Sequence, residues 1–215
     1  MKAARREQPW PIRVTHWTAV VAIVAMAGSG LQIWAAYPNL GPRGAQYAWF
    51  PLQGSMPFSA LRLGQWLAGA RHLHFAFAWL FLANALAYLG YLALSGEWRR
   101  RLFEPRRDAG NAVATALHYL RIRPAPDPSG LYNGLQRLAY TVAIALGLIL
   151  LLSGLAIWKP LQLSWLASLF GGYDGARAIH FLGLFALAAF AVAHVVMVAA
   201  HPRSFAAMIT GGRRG

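Results

Sequence analysis

Long runs of apolar residues, none containing Asp, Glu, Lys or Arg, alternate with polar segments along this chain. There are four such runs, each 21–24 residues long: residues 14–36, 72–95, 138–158 and 178–200. A helix rises about 1.5 Å per residue, so each run can cross a hydrocarbon core roughly 30 Å thick. Inside a bilayer the backbone must satisfy its own hydrogen bonds, as a helix does. The pattern therefore predicts an all-α integral membrane protein, a four-helix bundle forming a single domain over residues 1–215.

The positive charges lie mainly in three of the five polar segments. Of the 20 Lys and Arg residues, 15 precede the first span, lie in the connection 96–137 or follow the fourth span, and 5 lie in the other two connections. The positive-inside rule therefore places both termini and residues 96–137 in the cytoplasm. Segments 37–71 and 159–177 then face outward, to the periplasm if the protein is a multi-pass protein of a bacterial inner membrane.

Composition narrows the possible chemistry. Hydrophobic residues make up 58% of the chain and the mean hydropathy is +0.41, so membrane lipid is the expected surrounding. The net charge of +14 is explained by the flanks of the spans, and no nucleic-acid partner is expected. The chain has no cysteine, which excludes disulfides, iron–sulfur ligation and covalent c-type haem attachment. No internal repeat is expected.

Histidines inside the spans are the candidate functional groups, because ionisable residues are costly there. The chain has seven: His16, His74, His180 and His194 within spans, His72 and His201 at span ends, and His118 in the cytoplasmic connection. His180 and His194 are 14 residues apart on one span, which puts them on one face with about 21 Å between them. That distance is too long for one metal ion and indicates two centres stacked across the bilayer.

Depth in the membrane pairs these histidines. His16 and His194 lie near the cytoplasmic side, and His74 and His180 lie near the outer side. Two imidazoles with no further protein ligand are typical of a low-spin haem iron, whereas zinc takes three or four protein ligands. The spacing thus predicts two non-covalently bound haems b, one held by each pair.

Other assignments remain open at three positions. His72 and His74 are about 200° apart on a helix, so only one faces the bundle, and the deeper His74 is favoured. His201 shares a face with His194, but its use would separate the two centres by about 31 Å, nearly the whole core thickness. Gly30 lies 14 residues beyond His16 and either admits a flat macrocycle or serves helix packing.

Four motifs carry a resemblance to a known family: RVTHW at 13–17, RHLHFAFAW at 71–79, YNGLQRLAY at 132–140 and HFLGLFALAAFAVAH at 180–194. With them the chain resembles the bacterial di-haem cytochrome b family. That family includes cytochrome b subunits of hydrogenase and thiosulfate reductase, the formate dehydrogenase gamma subunit and prokaryotic cytochrome b561. In the family an arginine commonly occupies the place of His72. This implies that His72 interacts with a haem propionate or with the surface rather than with iron.

The resemblance implies electron transfer between a periplasmic redox partner and membrane quinone, with no catalytic residue in this chain itself. Segments 37–71 and 159–177 would dock the partner, for example a molybdoenzyme. Asn133 and Gln136 are expected at the quinone site, although Asn133 is also a good helix N-cap. Arg13 and Arg71 are expected to pair with haem propionates, with simple interfacial placement as the alternative.

Two other functions remain as hypotheses. One is a stand-alone cytochrome b561 that oxidises superoxide with quinone as the acceptor. The other is a transition-metal transporter without redox chemistry, which would be colourless and would place acidic residues along its pathway. The four spans contain no Asp or Glu, which argues against the transporter.

Overall fold

The computed structural model describes residues 8–55, 58–126 and 132–212, and throughout these ranges the regular structure is helical, with no strand. Eight α-helices follow one another: α1 Trp10–Trp34, α2 Leu67–Ser95, α3 Trp98–Arg101, α4 Pro105–Tyr119, α5 Gly134–Trp158, α6 Ser164–Leu169, α7 Gly172–Ala200 and α8 Pro202–Thr210. A 3₁₀ turn covers Ser59–Leu61. Helices α1, α2, α5 and α7 are long and apolar enough to cross a membrane. The predictions of an all-α fold and of four spans are confirmed.

The spanning helices begin four to six residues before the apolar runs do: at Trp10, Leu67, Gly134 and Gly172. The extra turns contain Arg13, Arg71, Arg137 and Arg177. A charged residue marks the edge of an apolar stretch, but its backbone continues the helical hydrogen bonds without penalty. All four helices therefore begin before the predicted spans do, and α1 ends at Trp34 rather than at residue 36. The bounds of the membrane spans themselves stay predictions.

The contacts divide the chain into two compact units. The first unit comprises the described residues within 1–13, 87–147 and 190–215, and the second comprises those within 14–86 and 148–189. The prediction of a single domain stays a prediction. Lys2, Arg5, Arg6, Arg213 and Arg214, which contributed to the predicted orientation, lie outside the described residues, as do residues 56–57 and 127–131 of the predicted connections.

The second unit contains the parts of the spanning helices within 14–86 and 148–189, together with the folded segment 37–71. A cluster of Trp34, Leu40, Phe50, Ala178 and Phe181 forms one part of its core. Gln53 ties the segment together, because its side-chain amide both accepts from the Leu40 N–H and donates to the Leu40 carbonyl, each at 2.9 Å. Arg177 of α7 donates to the carbonyl of Asn39 at 3.0 Å. Segment 37–71 is thus packed against span ends rather than extended away from them.

The first unit contains the connection 96–137, and Asp108 of α4 is its electrostatic centre. The buried Asp108 carboxylate accepts hydrogen bonds from Arg107 Nε at 2.8 Å, from Arg137 Nη1 at 2.9 Å and from the Glu104 N–H at 2.9 Å. The Arg107 guanidinium, helped by the Glu104 N–H and by the charge of Arg137, lowers the pKa of Asp108 from 3.8 to about 2. A second buried guanidinium, on Arg101, contacts Glu97.

Candidate haem-binding site

Within the second unit, the structure brings His74 of α2 and His180 of α7 together. Their ring centroids lie 6.3 Å apart and their ring planes cross at 66°. Neighbouring His72 is exposed, as the 200° offset between the two histidines requires. Of the two histidines at the start of the second predicted span, His74 therefore lies opposite His180.

The hydrogen bonds of the His74 ring determine which nitrogen carries its proton. His74 Nδ1 lies 3.0 Å from the carbonyl oxygen of Met26 and 3.2 Å from Ser29 Oγ, both on α1. A carbonyl oxygen can only accept, so Nδ1 must carry the proton and donate it. Nε2 is then left with its lone pair, which is the form of imidazole that binds a metal.

His180 has the same arrangement on a different helix. Its Nδ1 lies 3.0 Å from Ser153 Oγ of α5, and the Leu150 carbonyl is a second hydrogen-bond partner of the ring. Met26 precedes Ser29 by three residues, and Leu150 precedes Ser153 by three. Both histidines are therefore held as Nδ1–H tautomers by a serine and a carbonyl one helical turn apart.

A glycine follows each of these serines and lies beside the imidazole ring. A Cβ built on Gly30 would lie 3.5 Å from Cε1 of His74, and one on Gly154 would lie 3.2 Å from Cε1 of His180. Gly30 was considered at the sequence level either for a macrocycle or for helix packing. The described structure places Gly30 beside the His74 ring, where an added Cβ would be at an ordinary contact distance.

These contacts come from an internal repeat that the sequence reasoning missed. Residues 29–34 read SGLQIW and residues 153–158 read SGLAIW, and the two facing histidines each begin the pair His-Phe. The tryptophan that ends each SGLxIW motif packs against the phenylalanine of one of these His-Phe pairs. Trp34 stacks on Phe181 with 4.0 Å between ring centroids, and Trp158 lies 5.4 Å from Phe75. The expectation that the chain has no internal repeat was wrong, and the missed residues are Ser29, Ser153 and Gly154.

The two members of the second predicted pair belong to different units. His16 of α1 lies edge-on to Trp17 at 5.3 Å in the second unit. His194 of α7 is stacked with Phe190 at 6.1 Å in the first unit. Pairing of His16 with His194 stays a prediction. His201 is exposed, with its Nδ1 2.9 Å from the Met197 carbonyl, and His118 Nδ1 lies 3.2 Å from the Arg123 carbonyl.

Asn133 and Gln136 form a capping box at the start of α5. The Gln136 N–H donates to Asn133 Oδ1 at 2.8 Å, and the Asn133 N–H donates to Gln136 Oε1 at 3.2 Å. This reciprocal pair satisfies backbone donors that the helix itself cannot satisfy. The N-cap alternative for Asn133 is thus realised, and both side-chain oxygens are engaged. A role of the pair in quinone binding stays a prediction.

The two arginines predicted at haem propionates occupy different settings. Arg71 of α2 is exposed. Arg13 of α1 is partly buried, and its guanidinium lies against Gly211, just after α8, where a Cβ would collide with it. The described contacts of Arg13 thus lie within the first unit. Pairing of either residue with a propionate stays a prediction.

Comparisons with known proteins identify the family. The profile described as prokaryotic cytochrome b561 matches residues 7–211, nearly the whole chain. The chain belongs to the prokaryotic cytochrome b561 family. It is 41% identical over 203 residues to the putative protein-methionine-sulfoxide reductase subunit YedZ1 of Azospira oryzae (strain ATCC BAA-33 / DSM 13638 / PS), covering 94% of each chain. No solved structure matches it.

Membership of the cytochrome b561 family makes this chain a membrane electron-transfer protein and implies that it binds haem b. The described residues can be tested against that cofactor. An imidazole nitrogen binds a transition metal at about 2.0–2.1 Å, which puts the ring centroids of two opposed ligands roughly 6.3 Å apart. The His74 and His180 centroids are 6.3 Å apart. Both rings also carry their protons on Nδ1, so the residues fit a bis-imidazole iron site.

The surroundings of this cytochrome b561 site agree with that fit. Among the residues that the structure describes, no three His, Asp or Glu side chains cluster as ligands for one metal ion. His74 and His180 thus form a two-ligand set, which haem iron can use because the porphyrin supplies four nitrogens. Zinc bound by protein alone would lack ligands here.

Proposed function

We propose that this cytochrome b561 holds two haems b and carries electrons across the inner membrane between quinone and a periplasmic redox partner. The observation that carries the proposal is the opposed pair His74 and His180, each with Nδ1 engaged and Nε2 left for iron. When bound, haem supplies a reversible one-electron couple between ferric and ferrous iron. His16 and His194 are the proposed ligands of the second, cytoplasmic-side haem, and both termini are proposed to be cytoplasmic.

The protein's own residues hold the haem and adjust the potential of its iron, and they take no chemical part in the electron transfer. His74 and His180 bind from two different helices, so the site exists only when α2 and α7 are packed against α1 and α5. The hydrogen bonds to Nδ1 orient both rings and raise their basicity. The four apolar runs contain no Asp or Glu, so no carboxylate lies within them to offset the charge of the iron. Ligand orientation, burial and the hydrogen bonds to Nδ1 are the proposed means by which this chain sets the iron potential.

The relative supports a particular class of partner. The Azospira oryzae relative is named as a subunit of a putative protein-methionine-sulfoxide reductase. We propose that this chain likewise serves a periplasmic enzyme that reduces methionine sulfoxide in proteins. Such a reduction consumes two electrons and two protons and releases water. Electrons would therefore run outward, from quinol at the cytoplasmic side to the partner.

The proposed docking surface is formed by segments 37–71 and 159–177. Large side chains are exposed there: Trp49, Trp66, Leu161, Trp165 and Leu169. Anchoring at the membrane interface explains some of these exposed rings equally well. A docked reductase would cover those that stand clear of lipid.

Haem content of the purified protein tests the proposal. Reduced-minus-oxidised absorbance and haem extraction should give two haems b per chain. His74→Ala and His180→Ala should each give one, because each removes an axial ligand of the outer haem. His72→Ala is the matched control, two residues from His74 but exposed, and should keep two.

A colourless protein, a single haem in the wild type, or two haems in His74→Ala would contradict the proposal. The hypothesis of a stand-alone superoxide:quinone oxidoreductase shares the haem sites and differs in the electron donor. If the isolated protein reduces quinone with superoxide at a catalytic rate and needs no partner, the proposed partner is wrong and the haem assignment stands.

A further inference from the structure

Two buried serines occupy equivalent positions in the internal repeat and contact the two facing histidines. Ser29 and Ser153 are both completely buried, and each begins the motif SGLxIW. Ser29 lies 3.2 Å from His74 Nδ1, and Ser153 lies 3.0 Å from His180 Nδ1. The same contact thus occurs twice, between different pairs of helices. A repeated contact of this kind indicates a task at the histidine, since helix packing alone does not require a hydroxyl.

The proton of each hydroxyl is already committed elsewhere. Ser29 Oγ donates to the Ala25 carbonyl at 2.7 Å, and Ser153 Oγ donates to the Ile149 carbonyl at 2.6 Å. A hydroxyl has one proton and two acceptor positions, so each oxygen presents lone pairs to the imidazole. Each serine therefore accepts from Nδ1–H and cannot stabilise the opposite tautomer.

We propose that Ser29 and Ser153 are positioning residues for the outer haem, which fix the ring orientation and raise the basicity of its two histidine ligands. This inference rests on the proposed function, because it takes haem iron as the metal between His74 and His180. Each serine shares the Nδ1 proton with a carbonyl that is already part of a helix. Without the serine, the ring keeps one acceptor and gains freedom to rotate.

The consequences for the iron follow from the direction of the hydrogen bond. An acceptor at Nδ1–H makes the imidazole a stronger electron donor and favours ferric iron. Loss of that acceptor therefore raises the midpoint potential of the outer haem. It also weakens ligation, and changes to the outer-shell partner of a metal ligand typically cost about 10- to 100-fold in affinity. The 66° crossing of the rings predicts a strongly anisotropic low-spin ferric signal.

The test uses the purified holoprotein and the variants Ser29→Ala, Ser153→Ala, Ser29→Thr and Ser153→Thr. The matched control is Ser95→Ala, because Ser95 also donates to a carbonyl four residues back, at 2.6 Å, but its described hydrogen bonds do not involve a histidine. Three readouts are compared: the midpoint potential of the outer haem, its electron paramagnetic resonance signal and the rate of haem transfer to apomyoglobin. The outer haem is identified as the one missing from His74→Ala.

Each alanine variant should raise the outer potential, shift the anisotropic signal and speed outer haem loss about tenfold, in line with the usual cost of losing an outer-shell partner. The threonine variants keep the hydroxyl and should restore all three readouts toward wild type, and Ser95→Ala should match wild type. If one alanine variant fails to fold with its haems, the other still tests the proposal, because the two serine–histidine contacts are equivalent.

Alanine variants that match Ser95→Ala in all three readouts would overturn the inference. In that outcome, loss of one haem in His74→Ala would leave the proposed function standing. If His74→Ala instead keeps two haems, the proposed function itself fails. The two failures are thus separated by the same set of proteins.

Discussion

Asp108 shows how single residues hold the first unit together. Asp108 is 2% exposed, and its carboxylate faces two guanidinium groups, those of Arg107 and Arg137, while also accepting the Glu104 N–H at the start of α4. Arg137 belongs to the first turn of α5 and is 8% exposed. One buried carboxylate therefore connects helix α4 to the spanning helix α5. A buried charge is tolerated only when it is paired in this way.

Substitution Asp108→Asn should destabilise the protein by about 3–5 kcal/mol, because it leaves the buried Arg137 charge without its partner. Thermal unfolding in detergent, followed by the circular dichroism of the helices, measures the loss of stability. Glu104→Gln is the matched control, since Glu104 pairs with Arg107 at 3.4 Å but its side chain is 61% exposed. Exposed pairs contribute about 0–1 kcal/mol, so the control should unfold close to wild type. Equal behaviour of the two variants would contradict the assigned role of Asp108.

The same carboxylate predicts a pH dependence. Its pKa is lowered from 3.8 to about 2 in the folded protein, so the unfolded chain binds the proton more readily. The stabilisation is complete above about pH 4 and is lost as the pH falls toward 2. Wild-type stability should fall over that interval more steeply than that of Asp108→Asn. Parallel curves for the two proteins would show that Asp108 does not titrate as described.

At the scale of helices, two roles were open for Asn133 and Gln136 at the start of α5: capping the helix and binding quinone. Asn133 and Gln136 were predicted at a quinone site, and the structure shows them in a capping box. Substitution of these residues by Ala would remove the helix cap and any quinone-binding amide at the same time. A useful variant must keep the cap and change only the amide groups.

The double substitution Asn133→Asp and Gln136→Glu meets that requirement, because Asp is a good N-cap and Glu completes a capping box. If the amide pair binds quinone, this protein should keep wild-type thermal stability and haem content while its apparent quinone affinity falls. Quinol-driven haem reduction over a range of quinol concentrations measures that affinity. Unchanged affinity would remove these residues from the quinone site. For comparison, Asn133→Ala should cost about 1 kcal/mol of stability through the lost cap.

Helices were predictable from the sequence to different degrees. Four uncharged runs were enough to identify α1, α2, α5 and α7, because no other structure buries such lengths in lipid. The starts of these helices were not predictable, since arginines such as Arg71 and Arg177 end the apolar pattern without ending the helix. The facing of His74 and His180 followed from depth alone. Their serine partners could not be predicted without knowing that α1 packs on α2 and that α5 packs on α7. The repeated SGLxIW pattern was nevertheless present in the sequence.

At the scale of the whole molecule, charge decides which way the chain sits in the membrane. Fifteen of the 20 Lys and Arg residues fall on the side proposed to be cytoplasmic. Translocating arginines across a bilayer is costly, so this imbalance favours one orientation strongly. Electron flow toward a periplasmic partner depends on it, since His74 and His180 must then lie on the outer side.

Single-cysteine labelling tests the orientation directly, because the chain has no cysteine of its own and each introduced thiol is unique. Ala48 and Ser168 are exposed in the two segments proposed to face outward, and Ala109 is exposed on α4. In intact spheroplasts, Ala48→Cys and Ser168→Cys should react with a membrane-impermeant maleimide, and Ala109→Cys should react only after the membrane is opened. The reverse pattern would place His74 and His180 on the cytoplasmic side. A periplasmic reductase would then have to receive electrons from the other predicted centre, at His16 and His194.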